Sequence, residues 1–409
     1  MDKGRHLCIA YNIPLAIMLW NEDVAYAMTP FKLLTAPVGG WPLQEYNKFA
    51  LARYIISICS MSVELIMSYL DIYYGCSDMY EILDSVMIIV CAILGLVKLS
   101  MFRIYADNLI CNYSSAVSDY LAIDTEAKRT IMRRHAFMGR IFFYSVVLFG
   151  IFVSLGLVTA PIIPSNKDAQ VNVSINDDVL GYPISSTCTL ARFHFSTTLY
   201  LVIFIVQSFL IGATFFSNLG NDSLFLAITL HVCGQMELLR IEFSDFATEK
   251  GNVNQDFMKL VTRHSYLLNL ARLLADAVHF ILLVQLFISS VLICIMGFQL
   301  IVALKVGDAL MIAKTAMALL TFSLEMFAYS FVGNYLKNQM EEVAHSIFSC
   351  NWHCMSVKLM KNILFVIAQS QQPIQLTAGK FLVVNLQTYM SILKTSFSYL
   401  SVLRVTLDT

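Results

Sequence analysis

The sequence predicts an all-α, polytopic membrane protein with seven transmembrane helices, an N-terminus inside the cell and a C-terminus outside. Composition is the first reason: 58% of the 409 residues are hydrophobic and only 13% are charged, about half the charged fraction of a soluble domain. The second is a series of apolar stretches of about 20 residues, the length that crosses the hydrocarbon core of a bilayer. Because lipid offers the backbone no hydrogen bonds, each stretch is predicted to be a helix.

The predicted spans follow one another along the chain. The third, fourth and fifth contain no charged residue, whereas the first, second and sixth hold a few ionisable side chains. The seven spans are residues 52–72, 81–101, 141–160, 195–216, 280–304, 315–336 and 377–404. The chain then divides into a cytoplasmic N-terminal segment (1–49), spans one to six with extended cytoplasmic helices (50–336), a cytoplasmic segment (337–373) and the seventh helix (374–409).

The lysines and arginines between the spans predict which ends face the cytoplasm, because cytoplasmic loops carry an excess of positive charge. Most of them lie in the N-terminal segment and the second, fourth and sixth connections, and few lie in the other connections and the tail. This bias places the N-terminus inside, and seven crossings place the C-terminus outside. The net charge of −1 offers no basic surface, so no nucleic-acid partner is predicted.

The connections carry further predictions. Residues 223–246 have apolar side chains at helical spacing, and residues 256–283 run into the fifth span, so spans four to six are predicted to continue as cytoplasmic helices. On the outside, the pattern Asn-Val-Ser makes Asn172 a glycosylation candidate. Cys76 and Cys188 both fall on outside connections, and whether they pair stays open.

One face of the last predicted span carries mostly hydroxyl groups. The positions that share this face, three and four residues apart, are Thr388, Ser391, Thr395, Ser398, Val402 and Val405. Two interpretations are open. The hydroxyl groups could help neighbouring helices to pack and hydrogen-bond. They could instead line a water-filled pore that narrows at Val402 and Val405, because narrow apolar rings gate by dewetting.

The predicted outer halves of spans two, three, four and six are rich in aromatic, methionine and small side chains. Such a surface suits a small apolar ligand with a few hydroxyl groups to orient it, but it equally suits ordinary packing between helices. The candidate ligand-binding residues are Tyr80, Leu83, Met87, Phe149, Phe152, Gly156, Phe195, Thr198, Leu199, Met317 and Thr321.

The sequence gives little support for an enzyme, a metal site or a proton relay. No Gly-rich phosphate loop, HExxH motif or GxSxG motif is present, so neither an enzyme nor a cofactor is predicted. The segment HSIFSCNWHC (345–354) has four potential ligands at no standard zinc spacing, so no metal is predicted. The intramembrane acids Glu64, Asp84 and Glu325 have no regularly placed basic partner, which favours buried polar packing over a proton relay.

The stretch TAGKFLVVNLQTYMSILKTSFSYLSVLR (377–404), with seven spans and an inside N-terminus, resembles the C-terminal signature of insect odorant receptors. The similarity covers nearly the whole chain. It includes EDVAYAMTPFKLLTAPVGGWPL before the first span, GQMELLR after the fourth, FVGN at the end of the sixth and NWHCMSVKLMKNILFVIAQSQQPIQLTAGKF before the seventh. The large receptor sets of bees, ants and wasps look most similar.

This resemblance implies the tuning subunit of a ligand-gated, non-selective cation channel. Such a subunit forms a heterotetramer with the odorant receptor co-receptor in the plasma membrane of olfactory neuron dendrites. The implied ligand is a small volatile or lipid-like odorant in the outer half of the bundle. The last helix would line the pore for permeant cations, with Thr395 and Ser398 along it and Val402 and Val405 at the gate. The cytoplasmic extensions and the segment before Pro373 would form an anchor where subunits meet.

A seven-helix chemoreceptor that signals through a G protein is the alternative. Such a receptor has its N-terminus outside, contrary to the charge bias, and its last span carries an NPxxY motif where this chain has only TYMSI. A gustatory-type receptor would share the channel action. Its characteristic ending with Thr-Tyr and Gln-Phe is not what residues 395–405 show.

Overall fold

The computed structural model describes residues 20–45, 47–74, 79–159, 181–184, 186–190, 196–246, 253–350 and 352–408. The α-helices in these ranges are α1 (Glu22–Thr35), α2 (Lys48–Tyr74), α3 (Met79–Ile104), α4 (Ala106–Leu121), α5 (Glu126–Thr159), α6 (Thr187–Leu190), α7 (Thr197–Asp245), α8 (Val253–Val306), α9 (Ala309–Ser349), α10 (Val357–Ser370) and α11 (Leu386–Asp408). A 3₁₀ turn spans Trp352–Cys354, and a hairpin of β1 (Thr377–Ala378) and β2 (Leu382–Val383) precedes α11. Asn172, Phe195 and Cys76 lie outside the described residues.

Polar side chains mark where several helices begin. Before α1, the Asn21 side chain accepts a hydrogen bond from the Val24 amide at 2.8 Å. Before α9, the Asp308 carboxylate accepts bonds from the amides of Leu310 and Met311 at 2.9 and 3.3 Å. Because the first amides of a helix have no partner within it, these side chains stabilise the first turn and fix its start.

Six of the described helices, α2, α3, α5, α7, α8 and α9, are long and apolar enough to cross a membrane. They coincide with the first six predicted spans. The predicted all-α, polytopic membrane architecture is therefore confirmed. The final helix α11 is not among the six, because its serines, its threonines and Lys394 make it less apolar.

The three longest of the described helices are about twice as long as a bilayer requires, or more. α7, α8 and α9 contain 49, 54 and 41 residues, whereas about 20 residues cross a hydrocarbon core. Their extra turns lie where α7 ends and α8 begins, and there they pack against α1, α4 and α10. We call this the anchor end of the bundle and the opposite one, where α3 and α7 begin, the Tyr80 end.

The packing places α7 at the centre, against α1, α2, α3, α5, α8 and α9.

The last helix α11 packs against α8 and α9. Its start differs from the prediction, which had a helix from residue 377. Gly379 and Lys380 instead have φ values of +63° and +68°, in the left-handed region, and they form the turn of the hairpin. The Gly379 amide donates to the His279 carbonyl at 2.9 Å and ties this hairpin to α8.

Candidate functional site: an apolar cavity and a hydroxyl-bearing helix face

A cavity lies between α2, α3, α5, α7 and α9, within their apolar stretches. Its empty volume is about 720 Å³, including the part that opens on the surface. The apolar side chains of its wall are Met87, Ile88, Leu94, Val153, Leu157, Ile211, Phe215, Leu219, Ala318 and Phe322. Such a wall suits a small, mostly apolar molecule.

Polar side chains of the wall are mostly occupied with partners inside the protein. The Thr214 hydroxyl donates to one carboxyl oxygen of Glu64. The Thr321 hydroxyl donates to a backbone oxygen of its own helix at 2.8 Å. The Asn218 amide donates to the backbone oxygens of Cys91 and Thr214 at 2.9 and 3.1 Å. The hydrogens of these groups are therefore already used.

A buried ionic cluster lies at the side of the cavity that faces the anchor end. Lys98 on α3 is 0% exposed, and its Nζ lies 2.6 Å from the carboxylate of Asp222 on α7 and 3.1 Å from that of Glu325 on α9. The Tyr329 hydroxyl donates to Asp222. Buried charges are tolerated only where they are paired and hydrogen-bonded. The cluster joins three helices through side chains that have no alternative partner in lipid.

A second ion pair lies toward the Tyr80 end. The Lys314 ammonium on α9 contacts the Asp84 carboxylate on α3, and Gln299 on α8 donates to the same carboxylate at 2.7 Å. Lys314 also lies over the Tyr80 ring, 4.9 Å from its centre. The Tyr80 hydroxyl is 3.1 Å from that of Thr315. These contacts hold α3, α8 and α9 together on the side of the cavity opposite the Lys98 cluster.

The sequence-predicted ligand residues fall into three groups. Met87 and Thr321 line the cavity. Tyr80, Leu83, Phe149, Gly156 and Met317 are buried or half-buried on the same helices but outside the cavity wall. Phe152, Thr198 and Leu199 are exposed on the surface of the bundle. The cavity therefore lies deeper in the bundle than the predicted outer halves of the spans.

Sequence reasoning missed two features of this region. It did not include α2, which contributes Glu64 to the wall. It also expected the intramembrane acids to lack basic partners, and this is wrong for Asp84 and Glu325, which pair with Lys314 and Lys98. Both lysines lie at positions that the hydropathy pattern places in or beside spans, which is a signal that was present in the sequence.

The last helix exposes the hydroxyl-bearing face within the single chain. Thr395 and Ser398 are exposed, and Val402 is 62% exposed. The opposite side packs on α8, where the Ser396 hydroxyl lies 3.5 Å from the Ser290 carbonyl oxygen and Leu400 packs beside a glycine. α11 therefore has one side packed within the chain and a polar side that is not covered by it. The Val405 side chain lies outside the described residues.

Comparison with known proteins identifies the family. Residues 78–397 match the family model described as 7tm Odorant receptor. The chain belongs to the odorant receptor family. The recognition made from the C-terminal stretch is confirmed.

Relatives of this odorant receptor cover it to different extents. It is 28% identical to Odorant receptor 13a of Drosophila melanogaster over 50% of its own length and 53% of that protein, so it spans about half of this relative. It is 19% identical to Odorant receptor Or2 of Anopheles gambiae over 87% of its own length and 92% of that protein.

Solved structures show the same fold for the receptor. The olfactory receptor OR5 of Machilis hrabei in complex with eugenol superposes with a TM-score of 0.75 at 13% identity, over 94% of this chain and 100% of that one. Another structure of OR5 gives a TM-score of 0.73 at 14% identity, over 92% and 97% of the two chains.

The anchor end of the receptor contains buried histidines. Burial lowers the pKa of His264 on α8 to about 4, because removal from water disfavours the charged imidazolium. The His264 ring meets the edge of Phe243 at 6.4 Å between ring centres. His231 on α7 is also buried, and its pKa is lowered to about 3, first by desolvation. Burial therefore disfavours the protonated form of both rings.

Proposed function

We propose that this odorant receptor is the tuning subunit of a ligand-gated, non-selective cation channel. It binds a small, mostly apolar odorant and assembles with the odorant receptor co-receptor as a heterotetramer. It acts in the plasma membrane of olfactory sensory neuron dendrites as a receptor and channel rather than an enzyme. Its N-terminus and anchor end face the cytoplasm, as the distribution of positive charge favours.

The exposed hydroxyl face of α11 is the observation that carries the channel function. A membrane helix that leaves Thr395, Ser398 and Val402 uncovered by its own chain is suited to face water or another subunit. In the proposed assembly, four such faces surround a central pore. Val402, with Val405 one turn further on, forms the narrow apolar ring, and the hydroxyl groups replace part of the hydration of passing cations.

The odorant binds in the cavity between α2, α3, α5, α7 and α9. Its wall supplies apolar contact area with few polar groups, as sites for volatile ligands need. Met87 and Thr321 belong to this site, and Tyr80 and Leu83 contribute to it from the Tyr80 end of α3. The glycosylation candidate Asn172 lies on an outside connection in this arrangement.

Helix α9 connects the cavity to the last helix α11. It contributes Ala318, Thr321 and Phe322 to the cavity wall, and a little further along the Phe327 ring meets the Tyr389 ring of α11 at 5.6 Å between centres. A ligand can shift an equilibrium only by its difference in affinity between two states. An odorant that fits the open arrangement better therefore shifts α9, and through it α11, toward the open pore.

The experiment that tests this function is whole-cell recording from cells that express the chain with and without the co-receptor during application of an odorant panel. We expect a cation current within milliseconds that needs the co-receptor and persists under G-protein blockade. A slow current that G-protein blockade abolishes would contradict the channel mechanism. Surface labelling of the chain is the control for expression.

A further inference from the structure

We propose that the cavity selects apolar molecules that carry one hydroxyl group, and that the free carboxyl oxygen of Glu64 accepts the hydrogen bond from that hydroxyl. This inference rests on the proposed function, because it assigns a ligand class to the same cavity. Glu64 lies on α2, a helix that the sequence did not associate with ligand binding, and it is 2% exposed.

The bonding of Glu64 is incomplete. One of its carboxyl oxygens accepts from the Thr214 hydroxyl, and the described residues supply no partner for the other. The other acids of this region are better satisfied: Glu325 contacts Lys98 at 3.1 Å, and Asp84 has both Lys314 and Gln299. Among the described acids that line the cavity, Glu64 is thus the one with no cation within contact distance.

An acceptor without a partner is costly in a wall that is mostly apolar, and most of the hydrogen-bond donors around it are already used. The hydrogens of Thr214, Thr321 and the Asn218 amide are already used inside the protein. Apart from Cys91, Ser154 and Glu325, the other residues of the wall are apolar. A ligand that brings its own O–H satisfies the oxygen, whereas a ligand without a donor displaces any water there and leaves the oxygen unpaired.

The cavity suits a ligand with one hydrogen-bond donor better than a ligand with several. An ammonium group would bring a full charge and three N–H donors into a mostly apolar wall, where the Asn218 amide oxygen is the one further buried acceptor without a partner among the described lining residues. A hydroxyl brings one donor, and Ser154 on the α5 side of the same wall supplies a further hydroxyl group. The predicted ligand is therefore an alcohol or phenol on a small apolar body.

The test compares isomers that differ only in the donor. Suitable pairs are heptanol with hexyl methyl ether, octanol with heptyl methyl ether, and benzyl alcohol with methyl phenyl ether. Each pair has the same atoms, and only the alcohol has an O–H. Binding is measured as thermal stabilisation of the purified full-length chain in lipid nanodiscs, and gating as current from the complex with the co-receptor.

We expect at least one alcohol to bind about tenfold more tightly than its ether isomer. Glu64→Leu should abolish this preference without weakening the binding of the ether. Glu64→Gln keeps an oxygen acceptor of the same size and should retain the preference. Val63→Leu is the matched control on the same helix, because Val63 is exposed on the outside of the bundle.

Equal binding of both isomers in every pair, failure of every pair to bind, or a preference that survives Glu64→Leu would each overturn the inference. The two proposals fail separately. Alcohol preference in thermal stabilisation with no current in the co-receptor complex would keep the hydroxyl site and reject the channel. Currents evoked equally by alcohols and ethers would do the reverse.

Discussion

Lys98 and Asp222 meet at 2.6 Å in the middle of the bundle, with the Lys98 side chain 0% exposed and the Asp222 side chain 4% exposed. They are 124 residues apart in the sequence. With Glu325 and Tyr329 they join α3, α7 and α9 on one side of the cavity. This cluster is a buried polar link between three of the helices that form the candidate ligand site.

Removal of the lysine should destabilise the receptor strongly. Lys98→Met leaves the carboxylates of Asp222 and Glu325 buried without a cation, which we expect to cost about 3 to 5 kcal/mol of unfolding free energy. The measurement is thermal unfolding of the solubilised chain, together with its surface expression. Lys98→Met combined with Asp222→Asn and Glu325→Gln removes the charges as well and should recover most of the loss. Equal stability of wild type and Lys98→Met would contradict the buried pairing.

Filling the cavity should block ligand binding. Ala318→Phe places a ring into the space that Ala318 lines, so we expect ligand potency to fall about tenfold or more because the cavity no longer holds the odorant. Leu320→Phe is the matched control, since Leu320 is 51% exposed on the same helix. Dose–response recordings with the co-receptor give the comparison. Unchanged potency in Ala318→Phe would move the ligand site elsewhere.

Widening the proposed gate should make the channel leak. Val402→Ala replaces each valine of the apolar ring with a smaller side chain and so widens the opening. Water then wets it more readily, and ligand-independent current should rise several-fold. Phe397→Ala serves as the control because Phe397 is also exposed on α11, at 59%, but lies off the hydroxyl-bearing face. Basal conductance per surface-expressed receptor is the measured quantity. A larger leak from Phe397→Ala than from Val402→Ala would assign the pore to a different face.

Lowering the pH should destabilise the anchor end, because His264 is buried there. Burial lowers the pKa of His264 to about 4, below its ordinary value of 6.5. The unfolded chain therefore binds more protons between pH 6.5 and pH 4, and the stabilisation present above pH 6.5 is lost as the pH falls through that window. At pH 5 the loss should amount to about 2 kcal/mol.

His264→Leu should flatten this dependence. The comparison is the fall in melting temperature between pH 7 and pH 5 in wild type and variant. His345→Leu removes an exposed histidine at the same end of the bundle and is the matched control. The buried His231, whose pKa is lowered in the same direction, leaves some acid sensitivity in the variant. Identical slopes in wild type and His264→Leu would show that His264 is not protonated on unfolding.

The helices that form much of the candidate site could be predicted from the sequence, but the exact position of the site could not. The pattern selected Met87 and Thr321, which line the cavity, because it identified the helices and the types of side chain correctly. It also selected Phe152 and Leu199, which are exposed at 51% and 43%. In a membrane helix an apolar residue is equally suited to face lipid or a neighbouring helix, so hydropathy cannot separate the two.

The sequence by itself determined that this chain is helical, spans a membrane and belongs with odorant receptors. Those properties follow from run lengths, composition and a continuous motif, all of which are local along the chain. Tertiary structure alone decided that Glu64 meets Thr214, 150 residues away, that Lys98 meets Asp222, and that a hairpin precedes α11. Periodicity shows which residues share a face of one helix, whereas pairing depends on which faces of different helices meet, and packing of the whole bundle sets that.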